Sequence, residues 1–253
     1  YIIVHRECGI CRLLAEYMME VRLNGRVYTC LEQLREQADE ELFLFLEEWF
    51  DDRSYVLGHT SGSTGAPKEI QLSKADMRAS ARMTNAFFAI DRESVLLLCL
   101  SVSYIAGKMM VVRALEAGAE LLTVKVSSHP LRITGQEEYV DRRIDLAAMV
   151  PMQVEESMKS ESEKQRFGYI RHLIIGGAPV SVALEERLKK IPTQCYATYG
   201  MTETVSHIAL KKLNSDPAYF ALGEVGFEQD ERGCLIIDAP HLQARRFVTN
   251  DMV

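Results

Sequence analysis

The sequence holds no apolar run of the ~20 residues that a membrane-spanning helix requires. Its most apolar stretch, Val95 to Val112, is interrupted by Ser101, Ser103 and Lys108 and reads as buried core. The first residues, Tyr1 to Arg6, carry no extended apolar segment followed by a small-residue cleavage site, so a cytoplasmic location is expected. A basic excess is also missing: 29 Lys and Arg stand against 36 Asp and Glu, a formal charge of −7. That balance repels phosphate backbones at long range, and no Lys/Arg cluster dense enough for a nucleic-acid groove is present. Nucleic acid is therefore not expected as a partner. Of six cysteines only Cys8 and Cys11 form a CxxC. No second pair or nearby His pair completes four zinc ligands, and the rest are expected to be buried thiols. There is neither an internal repeat nor low complexity. With 47% hydrophobic and 26% charged residues the chain is globular, not disordered.

The patterning present is that of an α/β protein. Leu31 to Phe50 places Leu34, Leu42, Leu46 and Trp49 at helical spacing. Tyr55 to Leu57 and Glu69 to Leu72 read as short strands on either side of a polar loop, and Ser73 as the N-cap of a helix running from Lys74 towards Ile90. Further on, apolar runs at Val95 to Leu100, Glu120 to Val126, Leu146 to Val150 and His172 to Ile175 alternate with helical segments at Val111 to Ala117, Gln153 to Lys159 and Val182 to Lys190. Such alternation predicts parallel sheet with flanking helices. After Gly223 the texture becomes β-rich, with a turn at 230–233. We therefore expect one domain over residues 1–253, with residues 1–222 forming an α/β subdomain and residues 223–253 a β-rich C-terminal tail. The charged stretch Lys159 to Lys164 reads as a short linker.

The loop Thr60-Ser61-Gly62-Ser63-Thr64-Gly65-Ala66-Pro67-Lys68 concentrates hydroxyls, glycines and a cation. Glycines let backbone amides approach a phosphate, hydroxyls donate to it or ligate Mg²⁺, and the lysine supplies a point charge. A Walker A loop requires Gly and Lys adjacent at the head of a helix. Here Pro67 precedes Lys68 and a strand is expected to follow, so the loop is not of that type, and its composition alone leaves two readings, an oxyanion-binding loop or a flexible polar hairpin loop.

This nonapeptide resembles the phosphate signature of the adenylate-forming superfamily, which includes acyl-CoA synthetases, luciferases and adenylation domains. Ile175-Gly176-Gly177-Ala178-Pro179 is similar to its adenine-side glycine turn, Tyr199-Gly200-Met201-Thr202-Glu203-Thr204 to its aromatic-Gly-x-Thr-Glu motif, and Thr249-Asn250-Asp251 to its Thr-Gly-Asp motif. Four segments in the family's order span nearly the whole chain. The resemblance implies a fold of layered parallel sheets with flanking helices, and an activity in which a carboxylate attacks the α-phosphate of ATP and CoA captures the acyl-adenylate. It assigns Thr60, Ser61, Gly62, Ser63, Thr64, Gly65 and Lys68 to the β and γ phosphates, Thr202 to the α-phosphate and Glu203 to Mg²⁺. Tyr199 and Gly200, with Gly176, Gly177 and Ala178 opposite, would enclose the adenine, and Asp251 would accept from the ribose hydroxyls. Asn250 stands where the family has Gly.

By the same resemblance a small mobile C-terminal domain, carrying a lysine that bridges carboxylate and α-phosphate, would follow Asp251. It lies beyond Val253, so weak adenylation is expected of this chain. The acyl pocket is assigned to Leu100 to Lys108, which has no acid to pair with an amino-acid ammonium. Tyr104 and Lys108 are its candidate lining residues, with Ser206 and His207 at its edge, and Lys108 is either the candidate cation for a second carboxylate or a lysine snorkelling at a helix start. Within the family, Tyr199 to Ser206 and the Asp-Glu-x-Gly-x-Leu-x-Ile pattern at 230–237 are similar to the o-succinylbenzoate-CoA ligases of menaquinone synthesis. The alternatives are another aryl or fatty acyl-CoA synthetase, or a non-catalytic nucleotide-binding module.

Overall fold

The computed structural model describes residues 19–59, 69–132 and 142–253. Both Cys8-x-x-Cys11 and the loop at 60–68 lie outside them. The chain begins with a hairpin, β1 (Val21–Leu23) and β2 (Arg26–Tyr28), turned by Asn24 and Gly25 at φ 50° and 82°. Two consecutive positive φ values match the right-handed twist of paired strands, which is why Asn-Gly is favoured there. The helical pattern at Leu31 to Phe50 divides into α1 (Leu31–Leu34) and α2 (Glu40–Phe50). The division falls at Asp39, whose carboxylate accepts from Leu42 N at 2.8 Å and restarts the helix.

Strands β3 (Tyr55–His59) and β4 (Glu69–Ser73) pair antiparallel with His59 opposite Glu69, so the 60–68 segment connects a hairpin. Ser73 caps α3 (Lys74–Phe88) through Asp76 N at 3.2 Å, and the helix ends at Ala89 in the left-handed conformation. Next come β5 (Val95–Leu98), α4 (Ile105–Ala117), β6 (Glu120–Thr123) and β7 (Ile144–Met149). Helix α4 starts six residues before the position read from sequence, so the apolar run Val95 to Val112 is a strand, a turn and half a helix.

Helices α5 (Pro151–Ser157) and α6 (Glu161–Arg166) then lead into β8 (Ile170–Ile175). The expected linker at Lys159 to Lys164 is thus mostly helix. Its charge is deceptive: Ser160 caps it, and Glu163 is buried against His129 Nδ1 at 3.0 Å. The chain continues through α7 (Val182–Leu188), β9 (Gln194–Gly200), β10 (His207–Lys212) and β11 (Phe220–Ala221). It closes with β12 (Gly226–Gln229), β13 (Cys234–Asp238) and β14 (Arg246–Met252).

The large sheet has nine strands in the order β11-β10-β9-β8-β7-β5-β6-β1-β2. From β9 to β1 all neighbours are parallel, and antiparallel strands finish both edges. Successive strand residues point to opposite faces, and the apolar side chains sort accordingly. Leu96, Leu98, Leu146, Ala148, Ile174 and Tyr196 share one core with Leu42, Met77 and Met109 of α2, α3 and α4. Val95, Leu97, Ala147, Met149, Leu173 and Cys195 share the other with Val154, Leu184 and Leu188 of α5 and α7. The fold is therefore an α/β sheet covered by helices on both faces. Strands β12, β13 and β14 form a separate antiparallel sheet, and Leu235 and Ile237 join it to the first core.

Four of the cysteines are described and are free thiols, Cys99, Cys195 and Cys234 being buried. No described helix is long and apolar enough to cross a membrane.

Candidate nucleotide and acyl site

Strand order reverses at β5: the chain steps to β6 on one side, then returns to β7, β8 and β9 on the other. Such a switch leaves a crevice beyond the carboxyl ends of the strands, because the two connections diverge to opposite faces. A cleft of about 590 Å³ opens there, walled by the ends of β7, β8 and β9, by the start of α4 and by the loop at 201–206. It brings together Gly176, Gly177, Ala178, Tyr199, Gly200, Thr202, Glu203, Ser206 and His207, residues that lie up to 31 positions apart in the sequence.

Backbone geometry explains the small residues. Gly177 has φ +80°, a conformation that Cβ-bearing residues rarely adopt. At Gly200, where β9 crosses β10, a Cβ would strike the carbonyl of Ser206 and lie 2.6 Å from His207 Cα. The loop between these strands is held by Thr204, whose buried hydroxyl accepts from Met201 N (3.0 Å) and donates to the Ser206 carbonyl (2.9 Å). Val205 completes the loop at φ +65° while buried. A β-branched residue in that region is strained. Thr202 and Glu203 stand out from this loop. Glu203 is exposed, with no hydrogen bond or ion pair among the described residues.

Tyr199 Oη donates to Asp251 Oδ2 at 2.6 Å, which ties β9 to the small sheet. Burial, with the adjoining carboxylate second, holds the Tyr199 phenol above its ordinary range. Asn250, in the place of the family's glycine, lies in β14 without a positive φ. Its Oδ1 accepts from Arg232 Nη1 at 3.3 Å, and Arg232 Nη2 also reaches the Thr249 carbonyl at 3.2 Å. No glycine is required there, and the asparagine contributes to bracing the strand that carries Asp251.

Tyr104 and Lys108 do not line the cleft, contrary to expectation. Tyr104 is the exposed residue before α4, 66% accessible. Lys108 is buried between α4 and α2, 3.9 Å from Glu48 Oε2 and 4.5 Å from the Phe45 ring centre. Two residues correspond to about 200° around a helix, so Lys108 faces away from Ala106, which does line the cleft.

The cation of this wall is Arg113, one further turn and a half along α4. It is 2% accessible. Its Nη2 donates to Ser206 Oγ at 2.6 Å and Nη1 meets Met110 Sδ at 3.5 Å, while Nε is buried without a partner. No described carboxylate pairs with it. Burial alone lowers its pKa to about 9, so it is still a cation at neutral pH. Beside it His207 is buried, its Nε2 3.1 Å from Thr84 Oγ1. Burial and then the Arg113 charge hold its pKa well below 6.5, so the imidazole is neutral. Sequence reasoning passes over Arg113, although a single arginine between Met109 and Ala117 in an apolar helix is a visible signal.

The family model for AMP-binding enzymes matches residues 23–244, and the chain belongs to that family. The structure is similar to the acyl-CoA synthetase (AMP-forming)/AMP-acid ligase II-like protein of Dyadobacter fermentans, 34% identical with a TM-score of 0.78, covering 88% of this chain and 64% of that one. The O-succinylbenzoate coenzyme A synthetase of Bacillus subtilis, solved with ATP and magnesium, shares the fold at 19% identity and a TM-score of 0.61, over 76% of this chain and 42% of that one. Among curated proteins, the 2-succinylbenzoate–CoA ligase of Oceanobacillus iheyensis is 25% identical over 198 residues, 74% of this chain and 40% of the relative. The chain thus spans less than half the length of that relative.

Proposed function

We propose that this chain forms the nucleotide and acid-binding region of an enzyme that activates a carboxylic acid with ATP and passes the acyl group to CoA, with o-succinylbenzoate as the acid. In the first step a carboxylate oxygen attacks the α-phosphorus and the bond to pyrophosphate breaks. In the second the CoA sulfur attacks the acyl carbon and AMP leaves. Catalysis of such a transfer consists of positioning and charge stabilisation.

Tyr199 and the turn at Gly176 to Ala178 flank a space suited to adenine, and Asp251, anchored by Tyr199, is the acceptor for ribose hydroxyls. Residues Thr60 to Lys68, outside the described residues, would hold the β and γ phosphates, and Thr202 the α-phosphate. No described group of three or more His, Cys, Asp or Glu side chains is built to hold a metal by itself. The unpartnered Glu203 carboxylate fits Mg²⁺, an ion that takes one or two carboxylates and completes its shell with phosphate oxygens and water. When bound, it would neutralise phosphate charge.

The observation that carries the choice of acid is Arg113. An uncompensated buried cation at the end of a ligand cleft is costly unless an anion arrives. A dicarboxylic acid keeps one carboxylate free after the other is activated, whereas a fatty acid leaves none. The test is calorimetric titration with non-hydrolysable o-succinylbenzoyl- and benzoyl-adenylate analogues. The first should bind at least about tenfold tighter, equivalent to ~1.4 kcal/mol. Equal affinities would refute the dicarboxylic assignment, and absence of ATP binding would refute the nucleotide site.

A further inference from the structure

The wall that carries Arg113 has a second polar group whose role depends on the position of one proton. His207 lines the cleft at the start of β10 and turns Nε2 inward to Thr84 Oγ1 on α3, 3.1 Å away. The same hydroxyl lies 3.2 Å from the Ser80 carbonyl, one helical turn back. A hydroxyl has one hydrogen and a carbonyl can only accept. With the hydrogen on the Ser80 carbonyl, Thr84 presents a lone pair to the ring, and Nε2 must donate. The other nitrogen, Nδ1, has no partner among the described residues, yet it is not one of the sealed polar atoms. It is thus the ring nitrogen left for a ligand.

We propose that Thr84 is a positioning residue that fixes His207 as the Nε2–H tautomer, so that Nδ1 faces the cleft as a hydrogen-bond acceptor beside the Arg113 cation. The wall then offers two different contacts: charge for an anionic group, and a lone pair for a hydroxyl or water hydrogen next to it. A neutral imidazole is required, and burial together with Arg113 keeps it neutral. The identity of the ring's inward partner decides the tautomer, as it does for histidines that ligate metals. The tautomer assignment stands on the local geometry. Its consequence for affinity rests on the reading of this cleft as the acyl pocket.

The test is the long-range ¹H–¹⁵N spectrum of the labelled chain, with the His207 ring assigned by its loss in His207→Asn. The expected result is a protonated-type Nε2 and an unprotonated-type Nδ1. The reverse pattern, or an imidazolium at pH 7, overturns the proposal. In Thr84→Val the inward donor loses its acceptor, so the ring should invert to Nδ1–H. The o-succinylbenzoyl group carries only acceptors and so meets Nδ1 through a water that donates to both; with that bridge lost, affinity for the o-succinylbenzoyl-adenylate analogue should fall about tenfold, the worth of one hydrogen bond left unmade, with ATP affinity unchanged. Thr84→Ser should restore both tautomer and affinity. Inversion without any change in analogue affinity, or no inversion in a folded Thr84→Val, overturns the proposal. Should Thr84→Val fail to fold, the wild-type and Thr84→Ser spectra still decide it. A wild type with the expected tautomer that binds no acyl-adenylate analogue refutes the acyl-pocket reading and leaves the tautomer assignment standing.

Discussion

Replacing Arg113 by methionine should make the protein more stable and a poorer binder of dianionic ligands. Its pKa falls from 12.5 to about 9 through burial alone. At ~1.4 kcal/mol per unit, holding the charge in place costs about 5 kcal/mol. The contacts to Ser206 Oγ and Met110 Sδ return about 2 kcal/mol of this, taking the usual worth of hydrogen bonds from a charged donor. Methionine fills similar volume without a charge, and replacements of buried ionic groups by apolar ones of like size gain about 1–4 kcal/mol. A net gain of about 2 kcal/mol corresponds to a rise in Tm of about 4–8 °C for a chain of this size. Against this, a charge-assisted contact to the ligand is worth about 1.5–3 kcal/mol, so the o-succinylbenzoyl-adenylate analogue should bind ten- to a hundredfold more weakly while ATP affinity is unchanged. Scanning calorimetry and titration of the same variant read both effects. A lower Tm together with unaltered analogue affinity would refute the reasoning, since Arg113 would then be a structural residue.

The other predictions concern pH and the phosphate end of the cleft. His172 packs its ring against Phe88 and Tyr196 at centroid distances of 5.0 and 6.0 Å, and its Nδ1 is buried without a partner. Burial, then Arg171, lowers its pKa from 6.5 to about 4, with Asp145 opposing and Lys212 and Arg143 adding. The unfolded chain therefore binds a proton below pH 6.5 that the folded chain refuses until about pH 4. Stability is full above pH 6.5 and declines as pH falls through this window, by at most about 3 kcal/mol from this residue. Urea midpoints at pH 7 and pH 5 should differ accordingly, and His172→Phe should flatten the difference; an unchanged slope would show that the ring is not the source. Glu203→Gln should leave the Tm unaltered, because the side chain is exposed without a described partner, but should remove the Mg²⁺ dependence of ATP binding measured by calorimetry. Retained Mg²⁺ dependence would refute its assignment as the metal ligand.

Local signals carry much of the fold. The strands around the 60–68 loop, the cap at Ser73 and the apolar strand runs are legible because each depends on a few adjacent residues. The break between α1 and α2 depends on the capping carboxylate of Asp39, which a helical spacing of leucines conceals. Strands β9 and β10 are not legible as strands: the motif Tyr199 to Glu203 occupies their junction, and its residue types are chosen for the cleft and not for a pleated surface. The site shows the same division. Motif order identifies Gly176, Tyr199, Thr202 and Glu203, and the structure places all four on one cleft. Lys108 and Arg113 lie on the same helix, and only the neighbours of each face decide that Arg113 lines the cleft while Lys108 packs against Glu48 and Phe45. Asn250 lies in the extended backbone of β14, a conformation any residue adopts, so the glycine of the family's motif is not needed for the strand itself.

Three unfavourable features among the described residues meet around one volume. A buried arginine without a described counter-ion, a neutral histidine against it and a β-branched residue at positive φ are each expected to cost about 1–5 kcal/mol, and Arg113, His207 and Val205 all line the same cleft. The surrounding framework is locally consistent in its strands and helix starts: strand residues alternate between two apolar cores, and helices begin at Asp39, Ser73, Ser160 and Ser181 with side-chain caps. A sheet packed on both faces supplies the rigidity that holds Val205 in its strained turn and Arg113 in its dry position. The strained turn in turn fixes the direction in which Thr202 and Glu203 emerge, and under the proposed function the buried cation selects an anionic group on the ligand. Relief of these costs by mutation should therefore raise stability and lower ligand selectivity together, which is the double signature expected of Arg113→Met and the reason that a variant improved in both respects would count against this assignment of the site.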